Sequence, residues 1–129
     1  MANDIKNTLL VLKGARKLLE GNKSWAQGTF ALTKKGNKCR SVSPFACSWC
    51  AIGAVTRAHE DLPLVVDLFE LNPREYLETA MCKERHETVP DANDKPSTKH
   101  LHVLMAYDFA ILMAQDDLKW QRKQLKESK

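Results

Sequence analysis

In the first twenty residues apolar side chains recur at Ile5, Leu9, Leu12, Ala15 and Leu19. Steps of three and four place them on one stripe of an α-helix, with Arg16 sharing the margin beside Ala15. Asn3 or Asp4 stands as its cap and Gly21 as its stop. The period then changes. Short segments at 28–33 and 38–42 flank Lys34-Lys35-Gly36-Asn37, and the Gly-Asn turn between them predicts a β-hairpin at about 28–42. An isolated hairpin is marginal in water, so this one must rest on the helices.

After Ser43-Pro44 a helix is predicted to begin near Cys47 to Cys50 and to run to about His59, ahead of Asp61-Leu62-Pro63. Its Cys50, Gly53, Ala54, Arg57 edge is built mainly of small residues, which admits another backbone at close range. The apolar stretch 64–71 suits a short helix. Asn72-Pro73-Arg74-Glu75 resembles a helix start with asparagine as cap and proline at the first position. That helix should carry Tyr76, Leu77, Ala80 and Met81 inward and fray near His86-Glu87. Residues 88–99 are rich in turn formers and read as a loop. Ser97 or Thr98 then caps a last helix whose His100, Val103 or Leu104, Tyr107, Ile111 and Ala114 form a stripe and which continues to about Lys123.

The 129-residue length fits one domain able to bury a core without staples. The expected fold is α+β, mainly α: four to five helices packed with one short β-hairpin, in a single compact domain over 1–118, with 119–129 as a basic helix end or tail. A composition of 43% hydrophobic and 28% charged residues is that of an ordinary soluble protein, and the apolar runs are too short to cross a bilayer. Asp4, Lys6 and Lys13 interrupt the N-terminal apolar pattern, so no export signal is expected there. The four cysteines are accordingly expected to be reduced and the protein cytoplasmic. The net charge of +4 resides in the last eleven residues, where Lys119, Arg122, Lys123, Lys126 and Lys129 oppose only Glu127. Such an end is favoured by the helix dipole, and it also suits nucleic acid or an acidic partner.

The cysteines admit several chemistries. Cys47-x2-Cys50 and Cys82-x3-His86 have spacing that tetrahedral zinc accepts. Zinc knuckles, however, place their Cys-x2-Cys on a glycine-bearing turn, whereas Ala51 to Val55 propagate a helix; no metal and no cofactor is expected. A redox dithiol at Cys47 and Cys50 would belong after a strand in a βαβ framework, which the pattern lacks. A nucleophilic Cys50 activated by neutral His100 or His102, with Asp94 or Asn93 orienting the ring, is the catalytic alternative. Phosphate chemistry has no glycine-rich strand-to-helix loop to support it. Trp120 among Lys119, Arg122 and Lys123 mixes a stacking surface with charge, although an aromatic anchor that packs the helix is the role expected first. Trp25, Trp49, Tyr107 and Phe109 are expected in the core.

Three separated segments carry a resemblance. Trp25-Ala26-Gln27-Gly28-Thr29-Phe30-Ala31, Trp49-Cys50-Ala51-Ile52-Gly53-Ala54, and Asn93-Asp94-Lys95-Pro96-Ser97-Thr98-Lys99-His100 with Val103 and Asp108 look like the motifs of an uncharacterised bacterial and phage domain family. The resemblance spans roughly residues 5–115 and implies a small, mostly helical domain without an established activity. Trp25, Gln27, Trp49, Cys50, Gly53, Asn93, Asp94 and His100 match the pattern, whereas Cys39, Cys47 and Cys82 lie outside it. Lys99 stands where the family usually has threonine. The first expectation is therefore a small interaction protein, a phage or mobile-element accessory factor, acting on a protein partner, with Trp25, Gln27 and Asn93 among its binding residues. The second is a Cys50–His100–Asp94 hydrolase or acyl-transfer enzyme. The third is nucleic-acid binding through Lys119, Trp120, Arg122 and Lys123.

Overall fold

A computed structural model describes residues 2–63, 71–83 and 87–127. Among them stand five helices and one small antiparallel sheet, so the chain is mainly α with some β, as its pattern predicts. The first helix, α1 (Ala2–Leu19), buries Leu9, Leu12, Ala15 and Leu19 on the expected stripe, together with Val11 and Thr8. It packs against both the second helix, α2 (Ala51–Asp61), and the last, α5 (His100–Glu127). Gly14 and Ala58 face each other where α1 meets α2: a Cβ added at Gly14 would lie 3.3 Å from that of Ala58. Arg16 crosses from the margin of α1 to α5, its Nε donating to Asp108 Oδ1 at 2.7 Å.

The hairpin is present in shorter form, as β1 (Ala31–Thr33) and β2 (Lys38–Cys39), with Ala31 opposite Cys39. Its third strand, β3 (Ala46–Trp49), occupies residues that helical spacing assigned to the start of α2. β3 pairs antiparallel with β1, giving the order β2-β1-β3. On its other side Trp49 N–H donates to Ser24 O and Trp49 O accepts from Ala26 N–H, both at 2.9 Å. Partners on two sides hold these four residues extended, so Cys47 is an exposed strand residue and α2 begins only after Cys50. Trp49 is buried as expected; its indole N–H donates to Ser41 O at 3.0 Å, and the Arg57 guanidinium lies 5.5 Å over its ring.

Helix α3 (Pro73–Met81) starts with proline at its first position, but the Asn72 side chain makes no capping bond. Leu77 is fully buried there, whereas Tyr76, Ala80 and Met81 are half-buried. The helix ends at Met81. Residues 64–70, which hold nearly all of the expected helix at 64–71, and 84–86, which include His86, lie outside the described residues.

The expected loop at 88–99 instead opens with a short helix, α4 (Val89–Asp94). Thr88 Oγ1 accepts from Asp91 N–H, and the Asp91 carboxylate accepts from Thr88 N–H, both at 3.2 Å. This reciprocal capping box satisfies donors that a six-residue helix could not otherwise cover, and Pro90 in the first turn removes another. Neither Ser97 nor Thr98 caps α5 with its hydroxyl in the expected way. Thr98 donates back to Ala92 O at 2.6 Å, and His102 Nδ1 accepts Lys99 N–H at 3.0 Å. α5 then runs unbroken to Glu127, beyond the expected end near Lys123. Val103, Ala106, Tyr107, Ala110, Ala114 and Leu118 form its buried face. Tyr107 is wholly enclosed, its hydroxyl donating to Ala51 O at 2.6 Å. Two aromatic residues depart from expectation: Phe109 and Trp120 are 55% and 66% exposed, because both lie off the buried face of α5. Among the described residues no helix is long and apolar enough to cross a membrane.

Candidate functional site: a polar joint around Asn93

Four helix ends meet near the segment 24–28, and each leaves backbone groups without intrahelical partners. Asn93, at the end of α4 and completely buried, serves two of the segments at once. Its Oδ1 accepts from Trp25 Nε1–H at 2.7 Å and from Ala51 N–H at 2.9 Å, the latter an open donor in the first turn of α2. Its Nδ2 donates to Ala26 O at 3.0 Å and to Asp94 Oδ1 at 2.9 Å. Both lone-pair directions and both protons of the amide are thereby used.

The neighbouring side chains do the same for other ends. Gln27 Nε2 donates to Asn93 O at 2.9 Å and Lys95 O at 3.1 Å, covering carbonyls at the C-terminus of α4, where Thr98 covers Ala92 O. Asp94 Oδ1 also accepts Gly28 N–H at 2.8 Å. Gly28 itself has φ of 77°, the left-handed conformation that glycine takes without a steric penalty. His100 Nε2 bonds the carbonyl of Leu19 at the end of α1; since a carbonyl only accepts, the ring proton resides on Nε2. The imidazole also stacks on Trp25, with centroids 5.9 Å apart and planes 10° from parallel.

Cys50 is the N-cap of α2. Its Sγ accepts from Gly53 N–H at 3.2 Å, and its own N–H donates to Phe30 O at 3.1 Å. The side chain is 3% exposed. Burial pushes the thiol above its ordinary range, and the charge of Asp94 adds to this against the opposing pull of the Gly53 and Ile52 N–H groups. A thiol so placed is protonated at neutral pH and weakly nucleophilic. Among the described residues no hydrogen bond joins Cys50 to a histidine or Asp94 to His100; Asp94 Oδ1 accepts from Gly28 and Asn93.

The structure therefore gathers Trp25, Gln27, Cys50, Asn93, Asp94 and His100 in one region but joins them as a fastening between helix ends, not as a relay. Lys119, Trp120, Arg122 and Lys123 stand apart from it on the exposed end of α5. Cys47 and Cys82 are likewise separate, the first on β3 and the second at the C-cap of α3. Sequence reasoning passed over Leu101, Met105 and Leu112 and assigned Phe109 to the core; the four are 63%, 58%, 59% and 55% exposed in that order. Their own spacing of four, four and three was a signal in plain sight, masked by the stronger stripe on the other face of the same helix.

Residues 6–112 match the model of a family of unknown function, DUF6197, and the chain belongs to that family. No curated protein and no solved structure matches the chain.

The thiols provide a direct check of this geometry. Iodoacetamide applied to the native protein should label exposed Cys47 at least about ten times faster than Cys50, whose labelling should wait on unfolding. Peptide mass spectrometry distinguishes the two, and rapid native labelling of Cys50 would mean that its burial is not maintained in solution.

Proposed function

We propose that this protein is an interaction module that holds a protein partner on the outer face of α5. The stripe of Leu101, Met105, Phe109 and Leu112 carries the reading. Those spacings align the four side chains on the side of the helix opposite Val103, Tyr107, Ala110 and Ala114. A helix apolar on both faces is suited to burial on both. Here α1 and α3 cover only the inner one. Soluble proteins seldom expose several neighbouring large apolar side chains except where something binds, and methionine and phenylalanine are enriched at such interfaces.

The hydrolase reading has no comparable support, since the Cys50 thiol is buried and capping α2 while the imidazole of His100 is engaged at Leu19. In a pulldown from lysate of the source cells, the wild type should retain a stoichiometric protein. The double variant Met105→Glu/Phe109→Glu should lose it while keeping its circular dichroism and melting temperature. Retention of the partner by the folded variant would overturn the proposal. Capture of nucleic acid that depends instead on Lys119, Arg122 and Lys123 would replace it with the nucleic-acid reading.

A further inference from the structure

We infer that the occupant of this face is an acidic amphipathic helix lying along α5; the inference rests on reading α5 as the partner-binding element. A groove of about 540 Å³ runs beside the exposed stripe, between α5 and the ends of α3 and α4. Met105 and Phe109 form one wall and Ala80 and Met81 the other, over buried Ala92 and Ala106. Stripe and groove thus share Met105 and Phe109 and make one channel, apolar along these walls and also lined by Lys83, Glu87, Lys95 and His102. Helix-in-groove binding uses such a channel, filled by partner side chains at steps of three and four.

Charge selects the sign of the occupant. Lys83 lines the groove that borders the N-terminal half of the stripe. Lys119 and Lys123 continue it on the same side of the helix toward the C-terminus, next to Arg122 and Lys126, all of them exposed. The acidic groups nearby are largely engaged within the chain. Glu87, whose side chain is 5% exposed, pairs with Lys95 and accepts Lys83 N–H at 2.9 Å, and Asp108 pairs with Arg16. Asp116, between the stripe and Lys119, and Glu127, beyond Lys123, are the exposed acidic residues on the outer face of α5 among the described residues. A second copy of this chain would bring its own basic ends. Parallel packing would set Lys119 and Lys123 near themselves, and antiparallel packing would bring them toward the groove end that holds Lys83, so either arrangement opposes like charges. A helix with acidic residues flanking an apolar edge meets both ends favourably.

The test uses the full chain, fluorescently labelled, against a yeast-displayed library of peptides about 18 residues long, five turns of helix, with leucine or phenylalanine fixed at helical spacing and the other positions random. Selected peptides should be enriched in Asp and Glu. They should bind at least about tenfold more weakly to Met105→Glu/Phe109→Glu and to Lys119→Glu/Lys123→Glu, and added salt should weaken them further. Enrichment of Lys and Arg, indifference to charge, or no binders above the background of the Met105→Glu/Phe109→Glu variant would each overturn the inference. So would a dimer in sedimentation velocity that this variant abolishes, which would assign the face to a second copy. Failure of the charge preference alone leaves the partner-binding face standing, whereas partner capture that survives Met105→Glu/Phe109→Glu removes the face itself.

Discussion

Replacing Asn93 by alanine is expected to destabilise the protein by about 3–6 kcal/mol. The amide is completely buried, and its removal leaves Trp25 Nε1–H, Ala51 N–H and Ala26 O without the partners they have now. Each buried polar group stripped of its partner costs roughly 1–3 kcal/mol. Because domains of this size are stable by only about 5–15 kcal/mol, the loss would be a large share of the total. Asp94→Asn is the informative comparison. That side chain is exposed and retains an oxygen able to accept Gly28 N–H, so its cost should stay within about 1 kcal/mol. Urea unfolding of both variants measures the difference. Equal, small losses would mean that water replaces the Asn93 bonds and that the joint is looser than its geometry.

Gly53→Ala should also be strongly destabilising, by about 3 kcal/mol, which lowers the melting temperature by roughly 10 °C. An open helix interior would give the opposite sign, since alanine is preferred there by up to about 1 kcal/mol. Here an added Cβ would lie 2.2 Å from Phe30 O and 3.0 Å from Ser41 Oγ. Phe30 O cannot simply withdraw, because it accepts the N–H of Cys50 at 3.1 Å. Closeness of backbones, not an unusual φ, is what requires glycine at this position. A melting temperature at or above that of the wild type would show that α2 and the strand entry at Phe30 can separate cheaply.

Much of the fold was legible because α1 and α5 repeat their apolar spacing over many turns, and because Gly36-Asn37 marks the hairpin. The small-residue edge of α2 was legible for the same kind of reason: Gly53 and Ala54 leave room, and Phe30 uses the room at Gly53. β3 was not. Four residues are too few to display a period, and what holds them extended are partners at Ser24, Ala26 and β1 that a local window does not contain. α4 was hidden for another reason. Its Thr88-x-x-Asp91 capping box is written in the sequence, but proline and asparagine make so short a segment look like a loop by composition. At the site, Gln27, Asn93, Asp94 and His100 could be singled out as residues, while their roles could not. An asparagine that binds an indole, two main-chain groups and a carboxylate is recognisable only when segments distant in the chain are brought together.

The chain by itself determined its class, its two long helices, the end of α1 ahead of Gly21 and the start of α3 at Pro73, since periodicity, glycine stops and a proline at the first position act between residues near in sequence. Tertiary structure decided which of two apolar faces of α5 became core. Val103, Tyr107 and Ala114 and the opposing Met105, Phe109 and Leu112 are both acceptable stripes, and the choice fell to α1 and α3, which offer a matching surface to only one of them. It likewise decided that Cys50 is buried and caps α2. Burial and the Gly53 N–H set the state of that thiol, and both are supplied by neighbours that only the folded chain provides.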